Sequence, residues 1–427
     1  MSACQLSKPS LFNSNKERLI VLVVFFFLFL LHITWNYYKY LDFTKFDDYI
    51  CDVQVQNHYI KNGRSILKLQ ADDFTFFTKA SSDLRLLQGK VISVRVFNSK
   101  VTFLDYMRGF YAPSHLLGLY PNEISLRDKI VNSIDSQHSK KLFSSLYKTL
   151  FLALPASPEL REVLTTFSIA HLAALSGFHL GLLAFMFHLI FVLIYKFFQQ
   201  RYFPWRSRSK DIMYLSLITL SFYVAFTDFP PSLLRAFTMM LVGWYIYDRG
   251  LELLSFENLT LTILILFVLS PALVFSIGLW FSVAGVFYIL LFLRHFSHFH
   301  KVWQFLLLHL WIFILMIPVV HSVFHEFTLL QLLSPLLTML FILFYPLVLL
   351  LHLVGEGGLL DSSLINLFVL KSETYTIHTP LWFLVLYLVS SLLTVKYRLL
   401  SFVTLALAIS IFYQIAYSTT ITGTEIA

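Results

Sequence analysis

FSIAHLAALSGFHLGLLAFMFHLIFVLIY, residues 167–195, reads as one membrane span with polar residues set into its first half. It exceeds the about 20 apolar residues that a bilayer requires. Yet His171, Ser176, Gly177, His179 and Gly181 all fall near its start. Each is costly there, because an imidazole in lipid must satisfy its ring nitrogens and a glycine weakens the helix that holds it. A segment that only had to cross would be built from leucine. The stretch therefore predicts a helix that is both membrane-embedded and broken, with a polar seam.

Working outward, apolar runs recur along the whole chain. They are Leu19–Trp35, Ile212–Thr227, Ser232–Tyr247, Leu259–Ser270, Leu273–Leu293, Val302–Val320, Leu329–Val354, Leu381–Val395 and Leu399–Ala416. Hydrophobic residues make up 57% of the 427 and charged residues only 13%, which excludes a soluble protein. The runs are continuous rather than alternating, so they read as helices and not as a barrel. The expected fold is a polytopic α-helical membrane protein of about ten transmembrane helices, some broken or re-entrant, with a small β-rich, OB-like periplasmic domain. The first run lacks a small-x-small cleavage site and reads as an uncleaved anchor.

Positive charge sets the orientation. Lys196, Arg201, Arg206, Arg208 and Lys210 follow the second run and belong in the cytoplasm, as do Arg294, His295, His298, His300 and Lys301. The N-terminus is then cytoplasmic and residues 38–158 periplasmic. Lys396 and Arg398 break the count, and a re-entrant half-helix at Leu359–Leu370 restores it. Cys4 and Cys51 flank the anchor, so they should face opposite compartments and form neither a disulfide nor a metal site.

Within the polar region, Tyr49–Asn57, Arg64–Gln70 and Lys90–Ser99 read as strands, with Asn62-Gly63 as a hairpin turn. Asn122–Leu154 reads as an amphipathic helical stretch lying on the membrane surface. Leu142, Phe143, Leu146, Tyr147 and Leu150 stand at helical spacing, with Lys140, Lys141 and Lys148 between them. The expected boundaries are 1–37 for N-terminus and anchor, 38–118 for the β-rich domain, 119–160 for a helical linker and 161–427 for the multi-span domain.

Four stretches resemble the ComEC competence proteins. They are Leu150–Leu183, which contains the opening motif; Pro231-Ser-Leu-Leu-Arg235-Ala236; Ser270–Gly285, with Trp280 and Ser282; and Phe324-His325-Glu326-Phe-Thr328. The resemblance covers roughly Phe151–Val354. It implies an inner-membrane channel that passes single-stranded transforming DNA into the cytoplasm, without cofactor or catalysis. The implied partners are membrane lipids, a periplasmic DNA receptor and a cytoplasmic helicase or single-strand-binding protein, with a homo-oligomer allowed. The implied channel seam is His171, Ser176, Gly177, His179, Gly181, Asp228, Arg235, Trp280, Ser282, His325 and Glu326. Many members carry a metallo-β-lactamase-like domain, which is not expected here: Ser297-His298-Phe299-His300 lacks the aspartate and third histidine of that domain's motif. No P-loop occurs, so the energy source is another protein.

Each feature also has a plainer reading. His171 and His179 stand eight apart, within a quadrant of one helical face. With Gly177-x-x-x-Gly181 they would serve equally as helix–helix packing. Ser176 and His179 share a face as a nucleophile–base pair would, but no oxyanion-hole pattern accompanies them. Arg235 suits either a phosphate contact, an Asp228 pair or snorkelling. His321 and His325, four apart, suit a metal but lack a third ligand. Tyr59, Lys61, Arg64, Lys68, Phe76, Phe77 and Arg95 supply the cations and rings that single-strand binding uses. Against this, eleven cations and eight carboxylates between Lys39 and Arg108 leave only +3. The rival function is a small-molecule or lipid-linked transporter or flippase with broken helices. An intramembrane hydrolase ranks third.

Overall fold

A helix of 29 residues, α1 (Asn15–Phe43), leads the chain, and its apolar side chains from Leu19 to Leu31 are mostly exposed. That surface is what a lipid-facing anchor presents. The computed structural model describes residues 14–61, 64–80, 90–119, 126–173, 175, 177–250, 255–377 and 379–424. These fall into two compact units.

The smaller unit joins α1 to a six-stranded sheet and the segment 260–276. Its strands are β1 (Asp48–Lys61), β2 (Arg64–Gln70), β3 (Thr75–Ala80), β4 (Val91–Phe97), β5 (Phe110–Tyr111) and β6 (Ser114–Leu119), in the order β5-β3-β2-β1-β4-β6. The three expected strands are present, while β3, β5 and β6 add to them. β1 and β2 pair antiparallel down to Lys61 opposite Arg64, and the Asn62-Gly63 turn itself lies outside the described residues. β5 runs parallel to β3 and β6 antiparallel to β4, yet only two residues separate them. One segment thus pairs with both edges, so the sheet must curl until its edges meet.

Alternation builds the core of this unit. Val53, Val55, Leu67, Leu69, Phe76, Ile92, Val94 and Val96 point inward. Phe43, the last residue of α1, is buried among them, and its carbonyl accepts from the Asn98 side chain. A short helix, α2 (Phe103–Arg108), opens with a capping box of Thr102 and Asp105 and adds Tyr106 to the core.

The larger unit is helical: α3 (Leu126–Gln137), α4 (Lys141–Leu152), α5 (Pro158–Thr166), α6 (Ala170–Ala173), α7 (Gly177–Tyr202), α8 (Arg208–Phe226), α9 (Pro231–Asp248), α10 (Phe256–Leu269), α11 (Ile277–Phe296), α12 (Lys301–His321), α13 (Ser334–Leu353), α14 (Asp361–Phe368), α15 (Leu381–Thr394) and α16 (Leu400–Thr424). The first part of α3 and the last part of α10 belong to the smaller unit. Each expected span except 167–195, which is divided between α6 and α7, falls on one helix or on a 3-10 turn that runs into one, but not all of these helices are long and apolar enough to cross a membrane. Among the described residues five are long and apolar enough to cross a membrane: α1, α7, α11, α12 and the Leu329–Leu353 stretch that ends in α13. One core joins α4–α9 to α13, and a second joins α11, α12, α15 and α16.

Two expectations change. The Asn122–Leu154 stretch is not one helix on a surface. It is two helices, and α4 buries eight of its twelve residues, Phe143, Tyr147 and Leu150 almost completely. Its lysines occupy the narrow remaining face. The run Leu359–Leu370 forms only a 3-10 turn (Gly357–Leu360) and the eight-residue α14, whose Leu364, Ile365 and Phe368 pack on the first core.

Candidate functional site

The opening stretch folds as two helices with a gap between them. Ser157 caps α5 by accepting from the Leu160 N–H, with Pro158 at its first position. After Thr166 the chain turns through Ser168, at a left-handed φ of 53°, into the four-residue α6. A new helix, α7, starts at Gly177. Ala174 and Ser176, between them, lie outside the described residues, and so does the Ser176–His179 pairing.

The partner along this broken path is α13. The Thr328 hydroxyl donates to the Thr166 carbonyl, and Gln331 Nε2 donates to the Thr165 carbonyl at 3.3 Å. Ser334 Oγ donates to the Ser168 carbonyl at 3.2 Å. His171 Nδ1 donates to the same carbonyl at 3.1 Å, and its Nε2 lies 3.4 Å from the Thr338 hydroxyl. His179 is completely buried, its ring edge-on to Phe341 and Tyr345 with centroids 5.0 Å from each. Polar groups thus line the first turns of α13, and aromatic ones follow.

The break corrects the shared-face expectation. His171 is exposed on α6 while His179 is buried on α7, so they do not form one helical stripe. The glycine pair does not make a tight seam either. A methyl group at Gly177 would meet the Ala236 Cβ at 3.5 Å, an ordinary contact, and one at Gly181 would meet nothing within 4 Å. What the structure does bring together is Gly177 on α7 and Ala236 on α9, the residue after Arg235.

Arg235 lies in the second turn of α9 and is only 8% exposed. It therefore does not snorkel, and its Nε finds no hydrogen-bond partner. Asp228 is exposed in the turn between α8 and α9, where it and Phe229 both take left-handed backbone (φ 60° and 49°). Non-glycine residues adopt that region at a cost of about 1–2 kcal/mol each. The Pro230-Pro231 that follows starts α9.

The remaining seam residues stand elsewhere. Trp280 is exposed and Ser282 half-buried on α11, whose core side faces α12, α15 and α16. His325 and Glu326 are exposed before and in the short strand β7 (Glu326–Thr328), which pairs with β8 (Thr374–Thr376). His321 Nδ1 donates to the Phe324 carbonyl and His325 Nδ1 to the His321 carbonyl, so the backbone fixes one nitrogen of each ring. Among the described residues no group of three metal-ligating side chains occurs.

In the β unit, Phe76 is fully buried and stacks on Phe110, so it is core and not a base platform. The side chains of Tyr59, Lys61 and Arg64 lie outside the described residues. Arg95 is exposed and pairs with Asp48 at 3.4 Å. Lys68 and Phe77 are cross-strand neighbours on the outer face of β2 and β3. Partial burial lowers the Lys68 ammonium from its ordinary value.

Sequence reasoning missed a buried polar cluster. His138, after α3, has a fully buried side chain and donates from Nδ1 to Asp361 Oδ2 at 2.9 Å. Its Nε2 lies 3.0 Å from Nε2 of His352 at the end of α13, and Tyr147 stacks on it at 4.7 Å. Gln137 Oε1 accepts the Gly357 N–H at 2.8 Å. The signal available was His352, a titratable residue at the end of an apolar run.

A model of the family described as Competence protein matches residues 155–422. No curated protein and no solved structure matches the chain.

Proposed function

Because this chain belongs to the competence protein family, whose role is in DNA uptake, we propose that it is an inner-membrane channel for one strand of transforming DNA. The strand moves from periplasm to cytoplasm, the N-terminus is cytoplasmic, and the protein performs no catalysis itself. The observation that carries this reading is Arg235. A buried guanidinium with a free Nε, one residue before the Ala236 that faces the start of α7, is costly in lipid unless an anion visits it. Guanidinium matches phosphate oxygens. The matched region also holds the break at α6–α7, and irregular backbone at membrane depth is tolerated where it lines a cavity.

The β unit is read as an OB-like barrel that receives the strand. Its meander β1-β2-β3, the pairing of β1 with β4 and the edge-bridging segment from β5 to β6 support that reading. An OB-fold binds oligonucleotides on the face of strands 2 and 3, where Lys68 and Phe77 stand. A periplasmic receptor would deliver the substrate, and a cytoplasmic helicase or single-strand-binding protein would draw it in.

The test compares labelled DNA reaching the periplasm with DNA reaching the cytoplasm in a deletion strain. The expected result is normal periplasmic uptake and lost cytoplasmic arrival. Normal transformation in the deletion overturns the proposal. Arg235→Ala and His179→Ala should each lower transformation at unchanged protein level. A parallel fall in protein level assigns them to packing instead.

A further inference from the structure

Where α1 enters the β unit there is a cavity of about 240 Å³. Trp35, Tyr38, Lys39 and Asp42 form one wall, spaced i, i+3, i+4 and i+7, and so share one face of α1. Tyr49, Phe74 and Tyr106 of the β unit are among the residues opposite. The apolar run of α1 ends at Trp35, and Asp42 is seven residues further, about 10 Å along a helix. The cavity therefore opens at the level of lipid headgroups, where amphipathic rings concentrate.

Its charges are arranged in two parts. Lys39 forms an ion pair with Asp73 and also lies 5.9 Å from the Trp35 ring centroid. Asp42 pairs with no cation among the described residues. Burial raises the Tyr49 phenol, and nearby acidic groups including Asp42 and Asp73 raise it further, as an electronegative cavity would. Aromatic walls and an unpaired carboxylate favour an ammonium group. Lys39, one-third exposed at the rim, still has N–H donors beyond the one it gives Asp73 and can share its charge with a phosphate.

We propose that this cavity binds the phosphoethanolamine headgroup of an aminophospholipid, its ammonium between Asp42 and the aromatic rings and its phosphate at Lys39. A primary ammonium fits better than a quaternary one because Asp42 and the tyrosine hydroxyls accept N–H hydrogen bonds. Such a bound lipid would fix the height of the β unit against the bilayer. The inference is independent of what the protein transports.

The test is native mass spectrometry of the delipidated full-length protein, offered phosphatidylethanolamine, phosphatidylcholine or phosphatidylglycerol with identical acyl chains. Phosphatidylethanolamine should be retained about tenfold better than phosphatidylglycerol, and Asp42→Asn should abolish that ratio. Asp42→Glu, which keeps the carboxylate, should preserve it. Equal retention of the three lipids, or an unchanged ratio in Asp42→Asn, overturns the proposal. Soluble phosphoethanolamine binding in place of the lipid would overturn the lipid as source.

Discussion

Replacing Asp361 with alanine should undock α4 from α13 without unfolding the rest of the protein. The carboxylate accepts from His138 Nδ1, whose side chain is fully buried, and His138 in turn contacts His352 at 3.0 Å. Removing one partner of a buried pair costs about 3–5 kcal/mol where water is fully excluded. Asp361 keeps 14% exposure, so water reaches the vacated place and a value of about 2–3 kcal/mol is appropriate. At 1.4 kcal/mol per decade this raises the local opening equilibrium roughly 30- to 150-fold. Amide hydrogen exchange of the full-length protein in nanodiscs reads it directly. Exchange across residues 143–152 should accelerate by that factor, while residues 311–315, in the separate core of α11, α12, α15 and α16, should not change. Less than a threefold change in α4 refutes the assignment of the cluster as its tether. An equal rise in both regions refutes its locality.

Three further outcomes are expected. Gly358→Ala places a methyl group 2.5 Å from the Gln137 backbone oxygen, so it should open the same junction at least as strongly as Asp361→Ala in the same exchange experiment. Phe77→Ala should weaken single-stranded DNA binding by about 1–3 kcal/mol, and Lys68→Ala should flatten its salt dependence by about one charge; full-length protein titrated with labelled oligonucleotide at two salt concentrations checks both. In a Cys4→Ser background, Cys51 should alkylate roughly a thousandfold more slowly than a free thiol at pH 8. Burial first, then Asp52 and Asp72, pushes its thiol up to about 12. Folding favours the protonated thiol, so this contribution is full below the ordinary thiol range and is lost as pH rises towards 12.

The helices were legible because a long continuous apolar run reads as a helix from composition alone. Ile212–Thr227 and Val302–Val320 agree with α8 and α12 to within four residues at each end without any knowledge of their neighbours. Strands in the β unit were legible only where β-branched residues alternate with polar ones. Val91–Phe97 does so, but Ser114–Leu119 is a half-polar SHLLGL whose strand character comes from pairing with β4. Lysines made α4 look like a surface helix, and nothing in those twelve residues reveals α5, α6, α13 and α14 as the elements that cover it. The same limit hid the tether, since His138 and Asp361 stand 223 residues apart.

Contacts along α13 connect these observations. At its start, Ser334 and Thr338 hold Ser168 and His171 before the break; Phe341 and Tyr345 then enclose His179 after it. Further along, Tyr345 meets Phe151, and at the end His352 meets His138. One twenty-residue helix therefore touches both sides of the α6–α7 gap, the C-terminal end of α4 and the His138 turn that precedes α4. Packed helices move as rods because their interiors are dense and deform little. A shift of α13 large enough to separate His171 from Thr338 must also strain the His138–His352 contact. The polar end and the histidine end consequently bias one equilibrium, and loosening the tether at Asp361 should be felt at His171. Exchange at residues 170–173 in Asp361→Ala is the measurement that separates this from two independent sites: a rise there accompanies opening of α4 if α13 is shared, and an unchanged rate refutes the coupling.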